Sequence, residues 1–438
     1  MKNKVYFHTL GCSKNDVDTG IMESILDKNK YELEKDPNSA EIIIVNTCGF
    51  IDAAKEESID AIIRFAQLKN RGLKKLLLAG CLAQRYADEL IEEIPEADGI
   101  IGTGNLSDIN EVLDQALVGN KSIKTDTINS KHLENAYKED VAVVEYVKIS
   151  EGCDNNCTYC IIPKLRGKNR SRKIEDIFAE VSYLVSKGTR EIILIAQNTS
   201  DYGIDIYGEF KLASLIDKIS KIQDLKWIRL LYLYPDHFND DLINQFKNNK
   251  KLLKYADIPL QHHSDRVLKA MNRRIKGKEI EALIEKLKNE IPDMVLRTTY
   301  IVGFPGEDED DFKTLLSFVK NAEFLRLGVF TYSKEEGTPA FNFSNQVDED
   351  VKIRRRDSIM QEQMNISGKL LQSFVGKRLE TLIEECVDET TYVGRTYIDS
   401  PDIDGCIYVS SNRKLKVGEF VDVLVTDSLE YDLIGEII

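Results

Sequence analysis

Short apolar runs alternate with amphipathic stretches along the first 120 residues of the chain. Four of these runs have the length and composition of β-strands and lie at residues 5–10, 42–45, 76–79 and 100–101. Strands that alternate with helical stretches are typical of a parallel sheet whose connections are helices. The pattern therefore predicts a wound parallel α/β domain over residues 1–120. The stretch from residue 120 to 140 is polar, has no clear periodicity and is predicted to be a linker.

The same alternation continues through a central domain predicted at residues 140–368. Its six strand candidates lie at residues 143–149, 191–196, 227–232, 256–260, 295–302 and 327–332. A closed (β/α)8 barrel needs eight such units. Six units therefore predict a partial (β/α)6 barrel with a lateral opening that suits a large substrate.

The pattern changes after a charged stretch at residues 348–371, which is rich in helix formers and predicted to be a connecting helix. Five short strand candidates follow within residues 371–438, at 378–385, 391–398, 405–409, 419–426 and 432–438. Gly, Pro and Asp turns separate them. This spacing predicts a small all-β barrel as the third domain.

The apolar content, net charge and cysteine count of the chain argue against several classes of protein. The chain has no apolar run of about 18 residues, and residues 1–10 carry no secretion signal, so it is predicted to be a soluble, cytoplasmic protein with no membrane partner. A net charge of −15 argues against a broad surface for nucleic acid. Eight cysteines are too few for a disulfide scaffold in a chain of 438 residues, and in a reducing cytosol they more often bind metal or catalyse.

Three cysteines, Cys153, Cys157 and Cys160, form a C-x3-C-x2-C triplet just after the first strand of the central domain. Three thiolates do not complete a structural zinc site, which needs four ligands. They can hold three irons of a cubane iron-sulfur cluster and leave the fourth iron open to the amino and carboxylate groups of a substrate. A zinc knuckle and a chance group of core cysteines remain the alternatives.

Three further cysteines, Cys12, Cys48 and Cys81, each follow one of the first three predicted strands. The carboxyl ends of parallel strands meet at the same sheet edge, where α/β sheets bind their ligands. We therefore expect these thiols to converge as a second three-cysteine cluster. Single buried cysteines are also common at strand ends, so packed core residues are the alternative.

The segments that carry these cysteines resemble known sequence motifs. The methylthiotransferase branch of the radical S-adenosylmethionine superfamily has similar motifs, which here read LGCSKN at 10–15, NTCGFI at 46–51, GCLAQRY at 80–86 and EGCDNNCTYCIIPKLRG at 151–167. The segment ending in YDLIGE resembles the small β-barrel TRAM domain of that family. The resemblance spans essentially the whole chain and implies the same three-domain architecture.

The resemblance implies two 4Fe-4S clusters, held by Cys12, Cys48 and Cys81 and by the triplet, and two molecules of S-adenosylmethionine. One molecule would supply the methyl group carried on sulfur at the first cluster. The other, reduced at the triplet cluster, would yield a 5'-deoxyadenosyl radical that removes hydrogen from carbon. An electron donor such as flavodoxin or ferredoxin is also implied.

Within this family, one branch modifies an adenosine of transfer RNA and the other an aspartate of the twelfth protein of the small ribosomal subunit. The wording GFIDAAKEESI at 49–59, QHHSD at 261–265 and RLGVFTYSKEEGTPA at 326–340 resembles the second branch. The implied reaction adds a methylthio group to the β-carbon of that aspartate, and no transfer RNA substrate is expected. The transfer-RNA reaction is the nearest alternative, and a non-catalytic iron-sulfur or zinc protein that binds ribosomes is a distant one.

Charge gives an independent indication of the partner. Residues 371–438 carry six Lys or Arg against fourteen Asp or Glu, a net charge of −8 that disfavours RNA and suits a basic ribosomal protein. Acidity that serves only solubility is the alternative. In contrast, residues 164–173 carry six basic side chains, which could hold the carboxylate of S-adenosylmethionine, contact ribosomal RNA or form a solvated loop.

Gln197, Arg297 and Gly303 are candidate contacts for S-adenosylmethionine, because they lie in or just after strands of the predicted barrel, near the mouth where such barrels bind ligands. Ordinary structural hydrogen bonding is the alternative for each. Cys386 and Cys406 fall in the predicted β-barrel and are expected to be buried and inert.

Overall fold

A computed structural model describes residues 2–133 and 135–438 of the chain. Met1, at the start of the first predicted domain, and Glu134, in the predicted linker, lie outside the described residues. The chain divides into two units, one of residues 1–211 with 333–341 and the other of residues 212–332 with 342–438. The predicted three-domain boundaries stay a prediction.

The first unit contains a six-stranded sheet in which every pairing is parallel. Its spatial order is β2-β1-β3-β4-β5-β6, with β1 at Asn3–Thr9, β2 at Tyr31–Leu33, β3 at Ile42–Thr47, β4 at Lys75–Ala79, β5 at Gly99–Ile101 and β6 at Ser122–Lys124. The four predicted strands are confirmed as β1, β3, β4 and β5. The prediction was wrong for the start of the linker, where β6 forms an edge strand, because three partly exposed residues give no apolar run.

Helices cover both faces of this sheet because alternate residues of its central strands point to opposite sides. In β3, Ile43 and Val45 pack in one core with Phe65, while Ile42 and Ile44 pack in the other. The helices of the unit are α1 at Ser13–Ile25, α2 at Asp52–Ala66, α3 at Gly80–Arg85, α4 at Ala87–Glu93, α5 at Ile109–Leu117, α6 at Ile162–Arg166, α7 at Ile174–Lys187 and α8 at Ile204–Tyr207. Short 3-10 turns lie at Gln67–Arg71, Leu106–Asp108 and Thr199–Asp201.

The six strands predicted for the central region all form. Two belong to the first unit and pair in parallel, β7 at Val144–Lys148 and β10 at Glu191–Ile195. Between them, the two-residue strands β8 at Ser150–Glu151 and β9 at Arg170–Ser171 pair in antiparallel fashion and flank the cysteine triplet. The other four belong to the second unit and pair in parallel in sequence order, β11 at Trp227–Leu230, β12 at Leu252–Asp257, β13 at Val295–Val302 and β14 at Arg326–Thr331.

The fourth of these strands lies earlier than predicted. The expected range was 256–260, whereas β12 ends at Asp257. Pro259 follows closely and has no amide hydrogen to give to a ladder, so the strand does not extend through it. The apolar character of residues 258 and 260 reflects burial outside a strand.

The helices of the second unit are α9 at Leu212–Ile219, α10 at Asp240–Asn248, α11 at Asp265–Ala270, α12 at Gly277–Glu290, α13 at Glu309–Ala322 and α14 at Glu349–Gln372. The predicted connecting helix is confirmed as α14. A 3-10 turn occurs at Pro235–His237, and another, at Pro339–Asn342, begins in the first unit. Of the helices in the described part of the chain, none combines the length and the apolarity that crossing a bilayer requires.

The C-terminal strands close into a five-stranded barrel, which confirms the all-β prediction. Their order is β15-β16-β17-β19-β18, with β15 at Arg378–Cys386, β16 at Thr391–Arg395, β17 at Ile407–Ser410, β18 at Phe420–Ser428 and β19 at Leu433–Ile437. The expectation of buried cysteines in this barrel was wrong. Cys386 is exposed at the end of β15, and Cys406 is only half-buried before β17.

Within the second unit, arginines from the parallel strands bind the barrel segment. Arg229 donates to the carbonyl oxygen of Tyr397 at 3.0 Å. Arg326 pairs with the buried Asp399 and donates to the carbonyl oxygen of Tyr431 at 2.8 Å. Burial raises the pKa of Asp399 to about 7, although the Arg326 guanidinium lowers it. The parallel strands and the barrel are therefore joined by the buried ion pair of Arg326 and Asp399, in which each charge stabilises the other.

Replacing Arg326 with Leu is expected to lower the free energy of unfolding at pH 7 by about 1 to 3 kcal/mol, because the buried Asp399 and the carbonyl oxygen of Tyr431 lose their hydrogen-bond donor. Urea unfolding at pH 7 measures this loss. Without the cation, the pKa of Asp399 in the folded state lies further above its value in the unfolded chain. Stability is lost as the pH rises from the unfolded-state pKa to this raised folded-state pKa. Because the pKa of Asp399 is about 7 with the cation in place and higher without it, the deficit should grow as the pH rises from 7 toward 9 and be smallest near pH 4.

Arg413→Leu is the matched control, since Arg413 pairs with Glu419 at 2.8 Å while its side chain is 53% exposed. Its loss should not exceed about 1 kcal/mol. Equal small losses in the two variants would contradict the role given to the buried pair.

Candidate functional site

Three of the predicted site residues follow strands that are neighbours in the first sheet. Cys12 follows β1, Cys48 follows β3 and Cys81 follows β4, and the order of these strands in the sheet is β1-β3-β4. The structure therefore brings the three loops to one sheet edge. Gly11, at φ +95°, lets the loop of Cys12 pass close to Cys48, because a Cβ atom at this position would lie 2.9 Å from the sulfur of Cys48.

The loops of Cys48 and Cys81 touch through their backbones. A Cβ atom on Gly49 would lie 2.9 Å from the main chain of Leu82, so only glycine fits at that position. The hydroxyl of Ser58 in α2 accepts from the amide of Cys48 at 3.0 Å and donates to its carbonyl oxygen at 2.9 Å. The placement of Cys48 and Cys81 is thus set by main-chain contacts.

Burial controls the acidity of these thiols. It raises the pKa of Cys48, and the neighbouring thiol of Cys12 raises it further. Burial also raises the pKa of Cys81 to about 11, while the guanidinium of Arg166 lowers it. Both thiols are therefore protonated at neutral pH and would release protons on binding a metal ion.

The triplet Cys153, Cys157 and Cys160 lies in the loop between β8 and α6. The amide of Cys160 donates to the carbonyl oxygen of Cys157 at 3.0 Å, and the amide of Cys153 donates to that of Gly167 at 3.0 Å. Burial raises the pKa of Cys153 to about 11, and burial and the thiol of Cys157 raise that of Cys160. The backbone of the loop thus closes on itself, and the thiol of Cys157 is close enough to raise the pKa of both Cys153 and Cys160.

The residue types of the two sets suit iron-sulfur clusters, although their side chains are not placed as ligands. All six thiols are free of disulfides, and in each set at least one thiol is close enough to raise the pKa of another. As the side chains are placed in residues 2–133 and 135–438, no group of three or more Cys, His, Asp or Glu residues is arranged to hold a metal ion. Three soft sulfur donors per set are the ligands that such clusters take.

Arg166 links the segment that follows the triplet to the first cysteine set. Its side chain is 2% exposed and donates to the sulfur of Cys81 at 3.5 Å, to the side-chain oxygen of Asn15 at 2.7 Å and to the carboxylate of Asp18 at 2.8 Å. It also donates to Glu151 at 3.2 Å. Since α6 begins two residues after the triplet ends, one helical turn carries this guanidinium to the first cysteine set.

Lys148 completes a buried set of two cations and two anions. It pairs with both Asp18 and Glu151, the carboxylates that Arg166 also binds. Burial raises the pKa of Glu151, but Lys148 and Arg166 more than offset this and hold it below its usual range. Burial lowers the pKa of Lys148, and the two carboxylates raise it above its usual value. Lys148, Glu151 and Arg166 therefore stay charged inside the protein.

The basic run at residues 164–173 does not act as one surface. Arg166 is buried as described, and Arg172 is buried against Asp176 at 2.8 Å and Glu180 at 2.5 Å. These two arginines therefore neither form a solvated loop nor face outward to bind an external anion, the two predictions made for this run. The three lysines of the run, Lys164, Lys168 and Lys173, are the exposed members.

The candidate contacts for S-adenosylmethionine belong to different units of the chain. Gln197, in the first unit, donates to Glu151 at 2.6 Å, and its buried side-chain oxygen has no hydrogen-bond partner among the described residues. In the second unit, Arg297 binds Asp257 at 2.8 Å and Asp404 at 3.2 Å. Gly303 has φ +74°, and its amide donates to Glu307. Their role in binding S-adenosylmethionine stays a prediction.

Sequence reasoning missed Asn15, Asp18 and Lys148 as site residues. Asn15 and Asp18 lie on one face of α1, three residues apart, and Lys148 is a buried charged residue at the end of β7. Polar and charged residues at positions that the pattern assigns to the core were the available signal. Their partners could not be named from the sequence, because Lys148 and Asp18 are 130 residues apart.

Three family models match the chain. The description "uncharacterized protein family UPF0004" matches residues 4–102, "Radical SAM superfamily" matches residues 147–319 and "TRAM domain" matches residues 375–438.

Similar proteins match over the whole length of the chain. A protein of Acetivibrio thermocellus, described as ribosomal protein uS12 methylthiotransferase RimO, is 48% identical, and the match covers 100% of this chain and 99% of that protein. A protein of Clostridioides difficile with the same description is 48% identical, with 99% of each chain covered.

A similar solved structure is the radical S-adenosylmethionine methyltransferase TsrM from Kitasatospora setae, with cobalamin and a [4Fe-4S] cluster bound. Its TM-score is 0.56 at 12% sequence identity, and the match covers 89% of this chain and 81% of that chain. At this identity the likeness shows the fold alone.

Anaerobic reconstitution with iron and sulfide is expected to load about eight iron atoms per chain, four for each three-cysteine set. Replacing Cys12, Cys48 and Cys81 together with Ala should lower this to about four, measured by iron and sulfide analysis. Cys386→Ser is the control, because this exposed thiol lies in the β-barrel and its loss should leave the iron content unchanged. Zinc without sulfide would contradict the cluster assignment.

Proposed function

Because the chain belongs to the family of ribosomal protein uS12 methylthiotransferases named RimO, we propose that it adds a methylthio group to ribosomal protein uS12 by radical chemistry on S-adenosylmethionine. The observation that carries this proposal is the near-half identity over the full length, together with two sets of three free thiols in one unit. The enzyme would act in the cytoplasm, where its ribosomal substrate is made.

In the proposed reaction, a C–H bond at the β-carbon of an aspartate is broken and a C–S bond is formed. Each reductive cleavage of S-adenosylmethionine takes one electron from a donor such as flavodoxin or ferredoxin and releases methionine, and the hydrogen atom ends on 5'-deoxyadenosine. The electron freed when the carbon radical joins the methylated sulfur would pass to the cluster that holds this sulfur. A 4Fe-4S cluster on Cys153, Cys157 and Cys160 would supply the reductive cleavage. A second 4Fe-4S cluster, on Cys12, Cys48 and Cys81, would hold the sulfur that a second S-adenosylmethionine methylates.

Two charged side chains, Arg166 and Glu151, connect the two cysteine sets and support this chemistry. Arg166 donates to the sulfur of Cys81 at 3.5 Å, and the same bond would stabilise the negative charge of a thiolate there. Glu151 lies two residues before Cys153 and holds both Arg166 and Gln197. The segment that enters the triplet is thus fixed to the side chain that contacts the first set.

The acidity of the C-terminal barrel supports a protein substrate. The net charge of −8 over residues 371–438 opposes RNA phosphates and complements a ribosomal protein, a class that is basic because it binds RNA. A match to the TRAM domain over residues 375–438 does not by itself distinguish the two substrates.

Incubation of the reduced, reconstituted enzyme with uS12 should add one methylthio group to the protein, and the same incubation with transfer RNA should add none. Mass spectrometry of both products measures the outcome, and fragmentation identifies the modified residue. Modification of transfer RNA alone would sink the proposal in favour of the sibling reaction.

Replacing one cysteine of each set should separate the two halves of the chemistry. Cys153→Ala is expected to abolish formation of 5'-deoxyadenosine, whereas Cys48→Ala should retain this cleavage and lose methylthio transfer. Liquid chromatography of 5'-deoxyadenosine and mass spectrometry of uS12 give the two readouts. Equal loss of cleavage in both variants would show that the sets do not have distinct roles, and Cys386→Ser should change neither readout.

A further inference from the structure

The segment at residues 333–341 belongs to the first unit, although residues 212–332 separate it from the rest of that unit in sequence. Its residue Glu335 is 2% exposed, which is rare for a carboxylate unless it is paired. The catalytic scheme above gives this carboxylate no role. Its partners are therefore informative.

Glu335 binds one cation from the helix that follows Cys48 and one from the helix that contains Cys81. One of its oxygens accepts from Lys55 in α2 at 3.0 Å and from Arg85 in α3 at 3.0 Å. The other accepts from the hydroxyl of Ser333 at 2.7 Å. Burial lowers the pKa of Lys55, and its bonds to Asp52 and Glu335 raise it above its usual value, so the amine stays charged.

Arg85 extends this contact to the loops themselves. Its guanidinium donates to the carbonyl oxygen of Gly49 at 3.2 Å, one residue after Cys48, and to that of Glu336 at 2.7 Å. Arg85 itself lies four residues after Cys81 in the same short helix. One arginine thus joins the loops of Cys48 and Cys81 to the 333–341 segment.

The other end of the segment binds the triplet loop. The amide of Ala340 donates to the carbonyl oxygen of Thr158 at 2.9 Å, and Thr158 lies between Cys157 and Cys160. Between the two ends, the hydroxyl of Thr338 donates to the carbonyl oxygen of Glu335 at 2.7 Å and closes a turn. Glu335 is therefore rigidly connected to the point at which the segment holds the triplet.

We propose that Glu335 is a positioning residue that fixes the loops of Cys48 and Cys81 relative to the triplet loop, so that the radical formed at one set is used for sulfur transfer at the other. The proposal rests on the proposed function. Its physical basis is the sensitivity of reactions between two held groups to small displacements. Loss of the Glu335 charge removes the ion pairs of the segment with Arg85 and Lys55 and leaves Arg85 its bond to the carbonyl oxygen of Glu336. It removes no cysteine and no residue that would bind a cluster.

Glu335→Gln tests this role, because the amide keeps the size of the carboxylate and removes its charge. S-adenosylmethionine should still be cleaved, but the amount of methylthio product per 5'-deoxyadenosine formed should fall by at least about tenfold. Glu336→Gln is the matched control, since this neighbouring side chain is exposed and the same charge is removed. The control should keep the wild-type product ratio.

A second readout does not depend on turnover. In protein prepared without iron, amide hydrogen exchange at residues 49–56 and 157–162 should be faster in Glu335→Gln than in the wild type and unchanged in Glu336→Gln. Glu335→Asp keeps the charge on a shorter side chain and should recover part of the product ratio. If Glu335→Gln does not fold, the ratio measured for Glu335→Asp against the wild type decides the question.

The outcomes separate this proposal from the proposed function. A product ratio that stays at the wild-type value in Glu335→Gln, or exchange that is unchanged at both loops, overturns the positioning role. Wild-type enzyme that cleaves S-adenosylmethionine but never modifies uS12 overturns the proposed function instead, and faster exchange at both loops in Glu335→Gln would then still support the link between them.

Discussion

Four buried charges hold the first unit together where α1, β7 and the segment after the triplet meet. Arg166 and Lys148 face Asp18 and Glu151, and each cation contacts both anions. A set of this kind stabilises only when it is complete, because removing one member leaves another charged and unpaired in a medium that solvates it poorly. Since Arg166 also reaches Cys81, the placement of the two cysteine sets depends on this charge balance as well as on apolar packing.

The fold was predictable wherever burial leaves a mark on local sequence. Strands β3 and β4 are buried on both faces and therefore appear as continuous apolar runs, while the strands of the C-terminal barrel alternate, as β18 does between Val421, Asp422 and Val423. Edge strands β2 and β6 were not predicted, because each has only three residues, most of which are not buried, and so has no distinctive pattern. Cys386 was expected to be buried, but β15 continues past the barrel interior and its last residues are exposed.

The candidate site was predictable only in its cysteines. Their positions after consecutive strands can be read from the chain, because strand ends follow from local apolar runs. The partners of the charged residues cannot, since Arg166 and Asp18 are separated by 148 residues and Glu335 and Arg85 by 250. A basic run therefore looked like one surface, although its arginines and lysines differ in burial. Long-range pairing of buried charges is a property of the folded chain and leaves little trace in local composition.

The contribution of residues 333–341 to the first unit also limits how the chain can be divided. A fragment that ends before residue 333 contains all six cysteines of the two sets but lacks the carboxylate that Lys55 and Arg85 share. During synthesis, which proceeds from the amino terminus, the unit remains incomplete until most of the second unit has been made. The amino-terminal half alone therefore does not contain the whole first unit, because the chain passes through part of the second unit before it supplies residues 333–341.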